Sequence, residues 1–384
     1  MTAYLSIIIA LVIWGFIIYV FLTVLGNVFF WKKIRRRSEE IPPVVSVLIP
    51  ARNEEKTITK CIERVAGQNG VKEILVYDDE SSDSTAKVVL ELQKRYPVIR
   101  LIRGEEFPTG WTGKNHACQR LAELSSGDWL LFLDADARIR ENAISDIVRD
   151  ADIHGATFTS CWPGLELRTF WEKLLMPMLN FFVYSVYPAP ISFKRSSPSL
   201  GIAHGACILA KRDIYMRIGG HARVKKEIFE DTKLARLWRR EGEISLCFDG
   251  QDTVRVRRSE SLKDIWRGFE KNFFPGFKTE PTFWVFLFLH TAIFFLPFLF
   301  AMIELSQGKY FTMMQMISIT VLIIRILLTW RFRHPFISAI LHPVPQIFLI
   351  ILGISSRMKF KTGRGVEWKG RKYSYSKAET GKEK

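Results

Sequence analysis

The chain of 384 residues is poor in cysteine, and none of its five cysteines forms a Cys-x-x-Cys pair with another. A zinc site or a disulfide framework therefore has no support, and we expect the cysteines to be small, reduced core residues. Residues 1–31 contain no charged side chain, and this stretch also lacks the basic start and the small-residue cleavage site of a secretory signal. We therefore expect an uncleaved transmembrane anchor over residues 1–31.

Basic residues are in excess, with 55 Lys plus Arg against 39 Asp plus Glu and a formal net charge of +16. Much of this charge lies in Lys32–Arg37, directly after the anchor, and in a basic tail over residues 357–384. By the positive-inside rule, the middle of the chain is then cytosolic. Because both clusters adjoin apolar segments, we expect them to meet anionic membrane lipids, and without a nucleic-acid fold signature we expect no nucleic acid partner.

Apolar stretches return near the C-terminus, where residues 281–356 are expected to form a membrane region. Residues 281–303 and 310–330 are each long enough to cross a bilayer, and the short link between them predicts a hairpin. Arg325 should face protein or reach the interface, because a charge at the bilayer centre costs roughly 2.5 to 3.5 kcal/mol. Residues 335–356 contain two closely spaced prolines, which favour a re-entrant or interfacial segment over a full span.

Between these ends, residues 44–272 alternate short β-branched runs with amphipathic helical runs. The alternation predicts an α/β domain, a mostly parallel Rossmann-like sheet with helices on both faces, whose ligands bind beyond the carboxyl ends of the strands. No Gly-x-Gly-x-x-Gly follows the first strand, so a dinucleotide-dependent oxidoreductase is disfavoured. The first four strands are predicted at residues 44–49, 73–77, 98–102 and 129–133.

Carboxylates follow two of these strands. Asp78 and Asp79 end the second strand, and capping of the next helix does not account for them. Asp134 and Asp136 leave the fourth strand, where two carboxylates cannot point into an apolar core without a large desolvation cost. A divalent metal shared with a diphosphate fits best. Mg²⁺ or Mn²⁺ is expected, because both prefer a few carboxylates together with phosphate oxygens of the substrate.

In their order and spacing, these segments resemble the family 2 glycosyltransferases, which have the GT-A fold, over roughly residues 44–249. Three further runs look most like the carotenoid-linked and hopanoid-linked branch of that family: Gly110–Lys114, Gly219–His221 and Trp368–Arg371. The runs that match the family as a whole are Pro50-Ala51-Arg52-Asn53-Glu54, Val76-Tyr77-Asp78-Asp79-Glu80-Ser81-Ser82-Asp83-Ser84-Thr85, Gly113-Lys114-Asn115, Asp134-Ala135-Asp136 and Glu230-Asp231.

The resemblance implies a donor site for a UDP-sugar. Asp78 and Asp79, with Asn53 and Glu54 beside them, would hold the uracil and ribose, and Lys114 would bind base or phosphate. Apart from the resemblance, we expect His204-Gly205 and His221 to shape the acceptor or donor pocket, with a structural role, the more common one for a lone histidine, as the alternative. The full set implied for the donor is Asn53, Glu54, Asp78, Asp79, Lys114, Asp134 and Arg267.

The same resemblance implies the catalytic and metal residues. Asp134 and Asp136 would hold the metal, and Asp231, with Glu230 beside it, would be the general base that removes the acceptor proton. Residues 230–240 are expected to form a helix, so acidic decoration of a helix N-terminus explains this pair equally well when it is taken alone.

Polymerising members of the family carry Gln-x-x-Arg-Trp after the base, and residues 261–272 lack this motif. Arg267 in this stretch could serve the diphosphate or the acceptor, or meet lipid head groups. Residues 170–193 are apolar, aromatic and interrupted by prolines. They predict an interfacial helix that delivers a lipid acceptor, with a buried core helix as the alternative.

We therefore expect an inverting glycosyltransferase of the cell membrane, with several spans and a cytosolic catalytic domain. It would move a single sugar from a UDP-sugar, with UDP-glucose favoured, to a lipid or isoprenoid acceptor such as a carotenoid acid. A processive polysaccharide synthase and a non-catalytic sugar-nucleotide-binding membrane scaffold are the alternatives.

Overall fold

A computed structural model describes residues 2–37, 39–42, 44–105, 108–227, 229–257, 261–277, 279–362, 366–368 and 371–373. Lys369 and Gly370 of the Trp368–Arg371 run, and the tail beyond residue 373, lie outside the described residues. The chain divides into two compact units. An α/β unit comprises residues 30–166 and 189–258, and a helical unit comprises residues 1–29, 167–188 and 259–384.

Eight strands form one sheet in the α/β unit. They are β1 (Val45–Ala51), β2 (Val71–Asp78), β3 (Ile99–Arg103), β4 (Trp129–Leu133), β5 (Ala137–Ile139), β6 (Phe158–Leu165), β7 (Cys207–Lys211) and β8 (Ser245–Val256), in the order β3-β2-β1-β4-β7-β6-β8-β5. Strands β3, β2, β1 and β4 are parallel, as predicted, but β7 runs antiparallel to both of its neighbours. The sheet is therefore mixed. A two-stranded sheet, β9 (Val366–Trp368) and β10 (Arg371–Tyr373), belongs to the helical unit.

The helices of both units, in chain order, are α1 (Thr2–Phe30), α2 (Ile58–Ala66), α3 (Thr85–Arg95), α4 (Gly113–Leu124), α5 (Ala143–Ile153), α6 (Phe170–Leu175), α7 (Pro177–Val186), α8 (Ala189–Ser192), α9 (Arg212–Ile218), α10 (Glu230–Arg240), α11 (Leu262–Phe273), α12 (Glu280–Phe294), α13 (Leu296–Ser306), α14 (Met313–Phe332), α15 (Ile337–Ile340) and α16 (Pro343–Lys361).

Alternate residues of β1 enter two different cores, because successive side chains of a strand point to opposite faces. Val47 and Ile49 pack with Ile58 of α2, whereas Leu48 packs with Leu121 of α4. The sheet is thus covered on both faces, and α4 and α10 lie on the same one. All five cysteines are buried and unpaired, which fits their expected role as small core residues.

The basic run after the first helix belongs to the α/β unit and contacts it. Arg37 Nη2 lies 2.9 Å from Asp150 Oδ1 on α5, and Lys33 Nζ lies 3.2 Å from Asp252 Oδ2. The backbone N–H of Arg35 also donates to Asp150 at 2.7 Å. Part of the charge that was expected to meet lipid therefore pairs with carboxylates of the protein.

In the part of the chain that the structure describes, three helical stretches are long and apolar enough to cross a membrane, namely Ala10–Phe30, Glu280–Ser306 and Met313–Phe332. The second stretch was predicted as one helix but consists of α12 and α13, which separate at Phe295. Pro297 follows this break and has no N–H to continue the hydrogen-bond ladder. The fourth apolar stretch also breaks near its prolines, into the short α15 and the longer α16.

Two polar side chains within the apolar helices, those of Arg325 and Asn27, are buried against protein. Arg325 is 2 % exposed, donates to the carbonyl of Ser338, and lies over the ring of Phe181, with 5.0 Å from its Cζ to the ring centroid. Asn27 of α1 donates to the carbonyl of Tyr184 at 2.8 Å. Helices α6, α7 and α11 thus belong to this unit, although they were expected within or beside the catalytic domain.

Candidate active site

The carboxyl ends of β1, β2 and β4 lie at one edge of the sheet, because β1 pairs in parallel with both β2 and β4. Strand β7 runs antiparallel to β4 with Cys207 opposite Leu133, so the turn before β7 reaches the same edge. The residues that follow three strands and precede a fourth therefore meet at this edge. In α/β sheets, ligands bind just beyond the carboxyl ends of the strands, which is this edge.

Lys114 joins two of the chain segments at this edge. Its Nζ lies 2.8 Å from Asp134 Oδ1, after β4, and 3.0 Å from Glu230 Oε1, at the start of α10. Helix α4 begins just before Lys114 because Thr112 caps it, with the Thr112 side chain accepting a hydrogen bond from Asn115 N. The structure therefore brings together three of the predicted site residues.

The carboxylate partners fix the charge of Lys114. Burial by itself would lower the pKa of Lys114, but Asp134 and Glu230 favour the ammonium form and raise that pKa well above its ordinary value. Lys114 is therefore a cation throughout the physiological pH range. A fixed cation at this edge can bind the phosphate oxygens of a ligand.

Asp231 is held by two backbone donors. Gly205 N donates to Asp231 Oδ2 at 2.8 Å, and Thr232 N donates to Asp231 Oδ1 at 2.7 Å. Burial, and next the negative charge of Glu230, raise the pKa of Asp231 to about 6, although Lys114 and the two N–H groups act in the opposite direction. A carboxylate whose pKa lies this close to neutrality can take a proton from a substrate.

Gly205 gives these groups the space to approach one another. A Cβ at this position would lie 2.9 Å from Lys114 Nζ, 3.5 Å from Asp231 Oδ2 and 3.6 Å from Glu230 Oε1. A larger residue would therefore crowd the ammonium group of Lys114, which would have to shift. The role of Gly205 in shaping a pocket stays a prediction.

The residues expected to hold the uracil and ribose lie in the loops after β1 and β2. Asn53 Oδ1 accepts a hydrogen bond from Ser82 N at 2.8 Å, and Asp79 N donates to Ala51 O at 2.8 Å, so the two loops are joined. Asp78 and Asp79 are 7 % and 5 % exposed. Both residues are therefore largely buried where the two joined loops leave the sheet.

Two further predicted residues, Glu54 and His221, make contacts outside this cluster. Glu54 Oε2 accepts a hydrogen bond from the Thr57 hydroxyl at 2.6 Å, within its own loop. His221 is buried, with Nδ1 2.7 Å from the Tyr215 hydroxyl, so it belongs to a core rather than to a pocket. Arg267 lies exposed on α11, in the helical unit.

Asp134 and Asp136 were expected to hold a metal. Among the residues that the structure describes, no group of three or more His, Cys, Asp or Glu side chains is arranged to bind a metal ion. Two carboxylates that leave a buried strand do fit a hard divalent cation that takes its other ligands from water and phosphate, because Mg²⁺ is commonly bound in that way. The donor set therefore fits a cation shared with a substrate.

One residue without an assigned role makes extensive contacts beside the site. Asn115 follows Lys114 in the first turn of α4 and is fully buried, and its amide donates to three carbonyls of the segment that leads to Glu230. The run Gly113-Lys114-Asn115 was noted in the sequence, but only the contacts of the folded chain reveal what Asn115 holds.

Comparison with known proteins agrees with this geometry. Residues 46–219 match the family model described as Glycosyl transferase family 2. A 4,4'-diaponeurosporenoate glycosyltransferase of Staphylococcus haemolyticus is 29% identical over 248 residues, which are 63% of this chain and 64% of that protein, slightly less than two thirds of its length. A protein of the same name from Staphylococcus aureus is 23% identical over 350 residues, which are 87% of this chain and 89% of that protein.

A solved structure shares the fold over most of the chain. The mannosyltransferase PcManGT from Pyrobaculum calidifontis, solved in complex with GDP-Man and Mn²⁺, has a TM-score of 0.53 and 18% sequence identity, and the match covers 91% of this chain and 97% of that one. At this identity the likeness extends to the fold alone. The predicted fold class is confirmed.

Proposed function

Because the chain belongs to glycosyltransferase family 2, we propose that it moves a single sugar from a nucleotide-sugar donor to a lipid or isoprenoid acceptor. The observation that carries this proposal is the meeting of Lys114, Asp134, Glu230 and Asp231 around Gly205 at the carboxyl edge of the sheet. In such a cluster, the carboxylate of Asp231 can take a proton from the attacking oxygen, while the ammonium group of Lys114 stabilises the departing diphosphate.

The donor in this proposal is a UDP-sugar, with UDP-glucose as the favoured member. Asn53, Glu54, Asp78 and Asp79 hold the uracil and ribose, and Lys114 binds the diphosphate. Asp134 and Asp136 would hold Mg²⁺ or Mn²⁺, which supplies neutralisation of the charge that develops on the leaving diphosphate. The joined loops after β1 and β2 support this arrangement, because they fix the carboxylates before the donor arrives.

Asp231 is the general base in this proposal, and Glu230 beside it raises its basicity. The acceptor oxygen attacks the anomeric carbon of the sugar, its proton passes to Asp231, and the bond between the sugar and the diphosphate breaks. A single displacement inverts the anomeric configuration and needs no carboxylate nucleophile. An acceptor that is a carboxylic acid also requires this base. In a bilayer, desolvation raises the pKa of the acceptor's carboxyl group and keeps that group protonated.

The acceptor is proposed from the curated relatives and from the membrane helices. The relatives are named for diaponeurosporenoate, a carotenoid acid, and three helices of this chain are long enough to span a bilayer. An enzyme tethered to the membrane works where such an apolar acceptor is dissolved. Helices α6 and α7, which are rich in aromatic residues, are proposed as its binding surface.

We also propose that the protein is a multi-pass protein of the cell membrane with its α/β unit in the cytosol. The basic run Lys32–Arg37 directly after α1 supports this orientation. Arg35 and Arg36 have exposed side chains and are the members of the run proposed to meet anionic lipids.

The base assignment is tested by Asp231→Asn in the full chain. We expect transfer to fall about 10²- to 10⁴-fold, with donor affinity nearly unchanged. Asp213→Asn is the matched control, because Asp213 also lies in the first turn of a helix and also accepts a bond from the next backbone N–H, at 2.8 Å. If Asp231→Asn kept near wild-type turnover, or matched Asp213→Asn, the carboxylate would be helix decoration only.

The reaction class is tested by incubating membranes with radiolabelled UDP-glucose and a carotenoid-acid acceptor. A labelled small lipid in the organic phase is the expected product. Labelled polymer would instead identify a processive synthase, and donor binding without any labelled product would identify a non-catalytic scaffold. Parallel reactions with UDP-galactose, UDP-N-acetylglucosamine and GDP-mannose establish which donor is used.

A further inference from the structure

One face of α4 holds the segment that leads to Glu230 and Asp231. Thr112, Asn115 and Gln119 are spaced by three and four residues and therefore share a helix face. All three make hydrogen bonds to the segment Gly219–Glu227, called here the base segment. The base segment ends three residues before Glu230. Helix α4 therefore contributes Lys114 to the site and also holds the base segment, which leads to the proposed base Asp231.

Of the three residues, Asn115 makes the most hydrogen bonds to the base segment. Its side chain is fully buried, and Nδ2 donates to Val224 O at 2.8 Å, to Glu227 O at 3.0 Å and to Lys225 O at 3.3 Å. A side-chain amide has two N–H hydrogens, so one of them is shared between two of the three carbonyls. Val224 O also accepts from Glu227 N at 2.9 Å, and Lys225 O also accepts from Thr112 N, so these two carbonyls keep a donor without Asn115. What the base segment would lose is its side-chain bonds to α4, and a lost hydrogen bond costs about 1 kcal/mol.

The neighbouring contacts are fewer. Thr112 uses its backbone N–H, which donates to Lys225 O at 2.8 Å. Gln119 accepts two bonds through Oε1, from Ala222 N at 3.2 Å and from the Tyr215 hydroxyl at 3.1 Å. Gln119 therefore contacts the earlier part of the base segment, whereas Asn115 contacts the part nearest to Asp231.

We propose that Asn115 is a positioning residue that fixes the start of α10 through the base segment and so places Asp231 against Gly205 and Lys114. This inference rests on the proposed function, because it needs Asp231 to be the base. Catalysis is sensitive to such placement, since a shift of about 1 Å in a reacting group can cost on the order of 10²-fold in rate.

The test begins with Asn115→Ala in the full-length protein. We expect kcat to fall about 10- to 100-fold, with the affinity for UDP-glucose within about threefold of wild type. Asn115→Asp has nearly the same shape but turns oxygens towards the carbonyls, so it should lose at least as much activity as Asn115→Ala. Gln119→Ala should lose less, because its contacts lie farther from Asp231.

A matched control lies at the other edge of the same sheet. Gln68 follows α2 and precedes β2, and its side-chain amide donates to Arg64 O at 2.7 Å and to Arg140 O at 2.8 Å. Gln68→Ala therefore removes comparable hydrogen bonds from the α/β unit without touching the base segment. It should lower the melting temperature as Asn115→Ala does and leave kcat within about twofold of wild type.

A double-mutant cycle separates positioning from general destabilisation. If Asn115 acts through Asp231, Asn115→Ala should cost less than about threefold in the residual activity of the Asp231→Asn protein, because the base is already absent. Additive losses, or wild-type kcat in Asn115→Ala, would overturn the positioning role and leave the proposed function standing. Near wild-type activity in Asp231→Asn would instead overturn the base assignment itself.

Discussion

Lys114 Nζ and Glu230 Oε1 lie 3.0 Å apart, and each residue occupies the first turn of its helix. The two positions are alike but the side chains carry opposite charges, and the N-terminus of a helix favours a carboxylate and disfavours a cation. Glu230 therefore suits its position, whereas Lys114 depends on Glu230 and Asp134 to offset the helix dipole. The ammonium group of Lys114 thus couples the charge of Asp134, a proposed metal ligand, to that of Glu230, which lies beside the proposed base.

This coupling predicts the pH dependence of the reaction. Asp231 must be ionised to accept a proton, and its pKa is raised from 3.8 to about 6 by burial and by the charge of Glu230. We therefore expect kcat to be level at neutral pH and to fall as the pH drops through about 6. The measurement is kcat against pH at saturating donor, in buffers of constant ionic strength.

Replacing Glu230 tests the cause of that raised pKa. Glu230→Gln removes the negative charge that disfavours ionisation of Asp231, so the midpoint of the pH profile should move to lower pH. Glu241→Gln, at the exposed end of the same helix, should leave the midpoint in place. A midpoint that rises in Glu230→Gln, or moves equally in both variants, would contradict this account.

The two carboxylates after β4 predict a requirement for a divalent cation. Treatment with EDTA should abolish affinity for UDP-glucose, and Mg²⁺ or Mn²⁺ should restore it. Asp136→Ala should weaken donor binding at least tenfold at fixed metal concentration, whereas Asp152→Ala, an exposed carboxylate at the end of α5, should not. Calorimetric titration with and without the cation is the measurement. Full donor affinity in EDTA would rule out a metal-bridged diphosphate.

Gly205→Ala should disturb the site without unfolding the protein. The added Cβ would lie 2.9 Å from Lys114 Nζ, which is the end of a flexible side chain and can move away. We expect at least a tenfold loss of kcat/KM and an unchanged melting temperature. Gly67→Ala is the control, because a Cβ at that position meets no atom within 4 Å. A fully active Gly205→Ala protein would show that the approach of Lys114 to Asp231 is not required.

The sequence was sufficient to predict the four strands β1 to β4. Strand β4 is a continuous apolar run, and β2 ends in one before Asp78, so these local signals predicted where Asp78, Asp79, Asp134 and Asp136 leave the sheet. The reversed strand β7 was not predicted, because strand direction depends on pairing with β4 rather than on any local pattern. The contact between Gly205 and Asp231 follows from that reversal.

Residue roles that depend on distant contacts were harder to predict. Asn115 stood in a noted motif, yet its partners, residues 224–227, are remote in sequence, so spacing alone gave no role. The charge of Arg37 was interpreted as lipid-facing because it follows an apolar helix. Only the fold shows that a buried carboxylate, Asp150, lies within reach of it.

That ion pair predicts a contribution to stability. The side chain of Asp150 is 2 % exposed and that of Arg37 is 16 % exposed, and their hydrogen bond raises the pKa of Arg37 above its ordinary value. Among the described residues, Arg37→Ala would leave the buried carboxylate of Asp150 with the backbone N–H of Arg35 as its donor. Removing one partner of a buried pair costs about 3–5 kcal/mol, so we expect about 3 kcal/mol less unfolding free energy.

Lys33→Ala provides the comparison, because the pair of Lys33 with Asp252 has the same charges but exposed side chains, at 45 % and 34 %. Solvent screens such a pair, so its loss should cost less than about 1 kcal/mol. Urea unfolding of the full chain in detergent, followed by tryptophan fluorescence, measures both variants. Trp31 adjoins this run, donates to Cys247 O at 2.8 Å, and is one of the eleven tryptophans that contribute to this signal. Equal midpoints for Arg37→Ala and Lys33→Ala would mean that burial of Asp150 does not govern the strength of this contact.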